Sequence, residues 1–428
     1  MSGLSGVSGA SAPPSRPANQ FALAAYWFAW EMHWAALLGA TLQAEIARFM
    51  PPTMYGRATA VLGAVGALLA ILSQYGAGRW SDLARRRMPF IVLGTLLDIA
   101  ALYAFALAPS FGAVVVSFAA VQIALNIAGG PYQALIPDRI AKRAQGKASA
   151  FMGLMRLAGT AAGLLLAKLV VHQPGPGVTV EAYTRGFLVL VTVISIALLA
   201  ALAVTLFGVG EQPGDVAQPE AVLAMWPSRT SFWWLIISRA FVSAGLYLIL
   251  PFLGFYLRFA LHVERYQSSS LSLLLLMVVC SLVGTVPAGM LGDRFSKKSI
   301  IYIALALLAG GALALTVTSG LLVVALIAMV LGAGWGSYYS VDWALATNLL
   351  PEGRAGALMA LWNLGASAPQ VAAPIIGGLL VDHVGASSGD LGLGYRALFA
   401  LIAAFVLCGA FALSFVREPR EGVAPKPP

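Results

Sequence analysis

Apolar runs of about twenty residues constrain this chain most, because a helix of that length is what crosses a hydrocarbon core about 30 Å thick. Twelve such runs lie at approximately 21–46, 57–77, 88–108, 111–136, 148–171, 185–209, 232–258, 269–291, 299–318, 320–349, 354–381 and 393–416. The segment from Gly210 to Ser231, carrying Glu211, Pro213, Asp215 and Pro219, divides them six and six. The expected fold is an all-α membrane protein: twelve transmembrane helices in two six-helix bundles. Residues 1–20 are expected to be a disordered cytoplasmic tail, 21–209 the first bundle, 210–231 a cytoplasmic linker, 232–416 the second bundle and 417–428 a cytoplasmic tail.

Composition excludes the main alternatives. With 60% hydrophobic and 10% charged residues in 428, an ordinary soluble protein is ruled out. The net charge of +9 sits in short loops, so it reads as an orientation signal and predicts no nucleic-acid partner. Arg79, Arg85, Arg86 and Arg87 follow the second run, Arg139, Lys142, Arg143 and Lys147 the fourth, and Arg294, Lys297 and Lys298 the eighth. That bias predicts cytoplasmic even-numbered loops and cytoplasmic termini in a multi-pass protein of a bacterial inner membrane. The first twenty residues lack the charged start and apolar core of a secretory signal. Cys280 and Cys408 fall inside apolar runs, and His33, His172, His262 and His383 have no ligand spacing, so no disulfide, metal or cofactor is expected.

Two charged loops repeat. Gly78 to Phe90 reads GRWSDLARRRMPF, and Gly289 to Lys298 reads GMLGDRFSKK. Each places a Gly four residues before an Asp (Gly78/Asp82, Gly289/Asp293) and a basic pair four and five residues after it (Arg86/Arg87, Lys297/Lys298). This resembles the loop motif that occurs once in each half of the major facilitator superfamily, and the resemblance implies that superfamily's fold. Within it, Ser81-Asp82, Arg85-Arg86-Arg87, Pro89-Phe90-Ile91, Asn126, Gly130-Pro131, Ala134-Leu135 and Asp138 resemble the glycoside–pentoside–hexuronide cation symporters, especially sucrose–proton symporters. The late residues Ala344, Leu350-Pro351, Asn363, Pro369-Gln370 and Ala373-Pro374 are similar to the same branch. There are departures: Leu83 stands where the motif has a base, Arg85 and Ser296 where it has Gly, and Gln133 where the branch has Arg. The resemblance implies a sugar or glycoside as the small-molecule substrate, a coupling proton (or sodium), and loop residues that latch neighbouring helices.

Five ionisable residues lie well inside the runs: Glu31, Asp98, Arg156, Arg239 and Asp342. Charges at that depth are costly unless they meet a partner or a wet cavity. Counted from the cytoplasmic ends they share one level, together with Asn126 and Asn363, about 12–16 Å in. Three acids and two bases leave one carboxylate over if Arg156 and Arg239 act as charge partners. A carboxylate without a fixed cation suits proton coupling. Glu31 is the first candidate because it sits in the polar-aromatic stretch Tyr26 to Trp34; Asp98 and Asp342 follow. Trp30, His33 and Trp34 on that stretch are candidate substrate-binding residues. So are Gln122, Asn126 and Gln133 of the fourth run, Trp335, Tyr338 and Tyr339 at helical spacing before Asp342, and Asn363 with Gln370. Gly332, Gly334 and Gly336 beside that aromatic face would let helices approach closely.

These observations predict a monomeric secondary transporter, not an enzyme, working by alternating access. Its expected activity is proton-coupled uptake of a sugar or glycoside. Two alternatives stay open: a proton-driven exporter of amphipaths, with Trp30, Trp34, Trp335 and Phe252 lining a broad apolar cavity, and a non-transporting membrane assembly factor.

Overall fold

A computed structural model describes residues 20–139, 145–172, 178–209, 230–292, 294–349 and 355–417. The predicted tails, most of the linker, Asp293 and part of the loop after the fourth run lie outside these residues. Twelve helical segments match the twelve runs. The first, α1, runs through Gln20–Ala36, a π segment Leu37–Thr41 and Leu42–Phe49. The others are α2 Tyr55–Ala84, α3 Met88–Ala106, α4 Phe111–Arg139, α5 Gln145–Val170 and α6 Val180–Val209, then α7 Thr230–Phe259, α8 Tyr266–Gly292, α9 Lys297–Val317, α10 Leu321–Leu349, α11 Ala355–Ser388 and α12 Leu391–Ser414. Ten helices among the described residues are long and apolar enough to cross a membrane.

The packing repeats with a shift of six helices. In the first half α1 packs on α5 and α6, α4 on α2 and α3, and α3 on α6; in the second, α7 packs on α11 and α12, α10 on α8 and α9, and α9 on α12. Between halves the strongest pairings are α2 with α11 and α5 with α8, which the same shift interchanges. Two parallel repeats related by a pseudo-twofold axis give this pattern. Small residues set the closest crossings: a Cβ on Gly159 or Gly163 of α5 would strike the carbonyls of Phe28 and Met32 on α1.

Local chemistry fixes the helix ends. The last residue of the Arg85 turn after α2 has φ 52°, ψ 32°, the left-handed conformation that Gly adopts freely and other residues adopt at a cost. The Gly-to-Arg departure of the first loop therefore falls at the one place where Gly has a conformational advantage. Ser296, the corresponding departure in the second loop, has negative φ and serves α9 as a cap, its Oγ accepting from Ser299 N. Asp390 caps α12 by accepting from Gly392 N at 2.7 Å. The N-terminus of α2 is different. Met54 at its cap position offers no side-chain acceptor, and the cap comes from the other half: Asp382 on α11 accepts from Gly56 N at 3.0 Å and Arg57 N at 2.7 Å.

That contact belongs to a set joining the halves at the end of the molecule opposite the basic loops, here the far end. Gln43 donates to Leu250 O at 2.9 Å, Gln267 to Ala40 O at 3.3 Å, and Tyr55 packs on Phe255 with ring centroids 4.8 Å apart. Arg258 reaches Tyr55 Oη at 3.3 Å. Toward the basic end, Gly76 and Gly78 of α2 have open space where a side chain would sit. The far-end contacts join the two halves across that end.

Candidate functional site

Glu31, Arg156, Arg239, Asp98 and Asp342 each sit roughly 7 to 11 residues from the basic end of their helix, or about 10–17 Å. Four of them form two ionic pairs, and Asp98 makes a third pair with His33. On α1 and α5, Arg156 Nε donates to Glu31 Oε1 at 2.6 Å. Trp27, one turn before Glu31 on the same helix face, covers the guanidinium with its ring centroid 4.9 Å from Cζ. On α7 and α10, Arg239 Nη1 donates to Asp342 in a short contact. Its guanidinium lies 3.5 Å from the ring centroid of Trp362 on α11 and 5.6 Å from that of Tyr339. Trp343 braces Trp362 edge-on at 5.1 Å. Each half thus holds an arginine, a carboxylate from another helix and a covering tryptophan.

The two pairs differ in access. Arg239 and Asp342 have side chains 5% and 1% exposed, a sealed pair. Arg156 and Glu31 are 50% and 19% exposed at comparable depth, so they border open room inside the molecule. Tyr247 of α7 and Tyr339 of α10 lie within electrostatic reach of both arginines, and Tyr247 is hydrogen-bonded to Gln370 of α11. One polar space therefore has Arg156 and Glu31 on its first-half wall and Tyr247, Tyr339 and Gln370 on the other.

Asp98 is the acid left without an arginine. It is fully buried between α1 and α3 with His33 Nε2 3.6 Å away, and among the described residues none of the four polar atoms of this third pair has a hydrogen-bond partner. Tyr26 and Thr95 beside it satisfy each other at 2.6 Å. The leftover carboxylate is Asp98, not Glu31, and it lies inside the first bundle, away from the central space.

Several expected lining residues turn inward instead. Trp30 fills the room left by the absent side chain of Gly129 on α4 and packs edge-on against Trp27. His33 is buried beneath the edge of half-buried Trp34. Asn126 donates to Gln122 O at 2.8 Å and to Gln122 Oε1 at 3.4 Å, while Gln122 points at Gly66 of α2, so these amides join helices within one bundle. Tyr338 is buried beside the Arg239 pair, with its hydroxyl unbonded among the described residues. Trp335 is half-buried against Tyr339, and Gln133 is exposed on α4. The side chain of Asn363 lies outside the described residues. Gly332 and Gly336 do mark a close approach: a Cβ on either would meet the α8 backbone at Met277 or Ser281.

In the first loop Arg87 is buried and pairs with Asp82 in a short contact while donating to Ser81 Oγ at 2.6 Å, tying the end of α2 to the start of α3. Arg86 is exposed. In the second loop Lys298 Nζ donates to Ser414 O at 2.9 Å and Val416 O at 2.8 Å, joining α9 to the last turn of α12. Gly289 faces Ser340 of α10, and Lys297 opens α9.

Sequence reasoning missed Trp362, Tyr247 and the site role of Trp27. Trp27 was signalled by its position one turn before Glu31. Trp362 and Tyr247 carry no such mark, because their role comes from which helix each one faces.

Twelve helical segments, ten of them among the described residues long and apolar enough to cross a bilayer, form two repeated bundles, the architecture of a polytopic membrane protein. The family model described as Major Facilitator Superfamily matches residues 21–372 and 235–428, and the chain belongs to that superfamily of transporters. Over 98 residues it is 32% identical to an uncharacterized MFS-type transporter of Mycobacterium tuberculosis, a match spanning 23% of this chain and 17% of that protein. Its fold is similar to that of a bacterial homolog of the human lysosomal transporter Spinster, solved inward-facing and unoccupied: TM-score 0.74, 16% identity, 94% of this chain and 97% of that one. It is also similar to the nucleoside transporter NupG: TM-score 0.65, 11% identity, 93% and 98% coverage. At these identities the likeness extends to the fold alone.

Proposed function

We propose that this transporter couples proton entry to uptake of a sugar or glycoside, with Glu31 carrying the proton. The carrying observation is access. A coupling acid must meet water from each side in turn, and of the three intramembrane acids Glu31 alone borders the central space. Protonation of Glu31 would release Arg156 from its ionic partner and let α1 and α5 separate from their present register. Tyr247, Tyr339 and Gln370 offer hydroxyl and amide groups to a polar solute, and half-buried Trp335 stands beside Tyr339. Asp342, sealed against Arg239, whose guanidinium is flanked by two aromatic rings, serves as a fixed brace. Asp98 and His33 can hold a proton between them but lie behind the wall.

In this reading the basic loops face the cytoplasm of a bacterial inner membrane, both termini are inside, and the closed far end is the outer one. The conformation is then inward-open, and the Asp82–Arg87 pair acts within its own half while the far-end contacts hold the two halves together. The exporter alternative has less support: Phe252 is fully buried and Trp30 packs against Gly129, so neither contributes to a broad apolar cavity. The test is accumulation of labelled sugars by cells carrying the protein. Accumulation should collapse when a protonophore dissipates the gradient; accumulation indifferent to the gradient would overturn the proposal.

A further inference from the structure

We infer that the solute carries a carboxylate, and that Arg156 binds it through its two terminal nitrogens once Glu31 has taken a proton. This rests on the transport reading above and narrows its substrate. Arg156 uses Nε alone to hold Glu31 Oε1, and its two Nη atoms have no hydrogen-bond partner among the described residues. The guanidinium is half exposed at mid-depth, with Trp27 over one face and the tyrosines of the other half across the gap. A guanidinium presents its donors as a planar fork that matches the two oxygens of a carboxylate. Arg239 could not serve: it is sealed by Trp362 and engaged with Asp342 through Nη1.

Charge balance sets the stoichiometry. The Glu31–Arg156 and Arg239–Asp342 pairs together are neutral, so a monoanion entering the space would leave one uncompensated negative charge at mid-membrane depth, an expensive state. One proton bound to the Glu31 carboxylate removes that charge. Arg156 then exchanges Glu31 for the solute carboxylate. When solute and proton leave on the other side, the original ion pair re-forms. The cycle carries one proton with one monoanion and moves no net charge.

Thermal stabilisation and binding by purified full-length protein test this, with D-gluconate and D-glucose as probes. Gluconate is expected to stabilise the wild type more than glucose does. Arg156→Lys keeps the charge but loses the fork, and should weaken gluconate binding by about tenfold or more, a larger loss than for glucose. Glu31→Gln, which frees the guanidinium, should tighten gluconate binding, an outcome a purely structural ion pair would not give. Stabilisation by glucose and not by gluconate would overturn the carboxylate assignment and leave the sugar reading standing. Stabilisation by neither would remove both. Gluconate binding unchanged in both variants would overturn the role of Arg156.

Discussion

Replacing Asp382 by Asn should shift the transporter toward the conformation that opens at the far end. The carboxylate accepts from the second and third backbone N–H groups of α2, the donors that a helix cap ordinarily satisfies, and Met54 supplies no cap of its own. The two bonds exist only while α2 and α11 touch, so they stabilise the far-end-closed state and contribute nothing to the other. An N-cap is worth about 1 kcal/mol and a carboxylate at a helix N-terminus adds up to about 1 more, giving about 2 kcal/mol of bias. Asparagine keeps one acceptor and loses the charge, so about half should go, roughly a fivefold change in the ratio of states; Asp382→Ala should lose all of it, roughly thirtyfold. Spin labels at Thr53→Cys and Ser387→Cys, both exposed at the far end, would report the change by pulsed electron–electron distance measurement once Cys280 and Cys408 are replaced. The long-distance population should rise from wild type to Asn to Ala. An unchanged distribution in Asp382→Ala would refute the trans-cap reasoning.

Other outcomes follow from single contacts. Arg85→Gly should raise stability by about 1 kcal/mol, read as an upward shift in melting temperature, because it relieves the left-handed backbone at the end of α2. Gly336→Ala should destabilise by about 1–3 kcal/mol, since its Cβ would drive into the Ser281 carbonyl of α8; the equivalent change at Gly76, where there is open space, should be neutral in the same melt. Trp362→Ala should cost about 3–5 kcal/mol by emptying a fully buried site and uncovering Arg239, with Trp362→Phe recovering most of it.

The helix count was legible because most spans are long apolar runs ended by charge, by proline or by a short polar turn such as Thr318-Ser319-Gly320. The repeated loops exposed the duplication, and counting residues from the basic ends put five ionisable groups at one level. Depth could not show which acid met which base. Arg156 lies equally deep as Glu31 and Asp98, and its choice of Glu31 depends on α5 crossing α1 at Gly159 and Gly163. The same gap separates lining from packing: Trp30, Asn126 and Phe252 fit a helical face pattern, but the pattern is silent about whether that face meets a cavity or a neighbouring helix. Asp382, at the very end of an apolar run, reads as an ordinary boundary residue until α2 is seen to start without a cap.

Proton movement in proteoliposomes tests the central claim most directly. With an external pH dye and an imposed inward solute gradient, the wild type should draw protons in with the solute, and the medium should become more alkaline. Glu31→Gln should still bind solute and exchange it across the bilayer but move no protons. Solute entry without any proton signal in the wild type, or an undiminished signal in Glu31→Gln, would contradict the account.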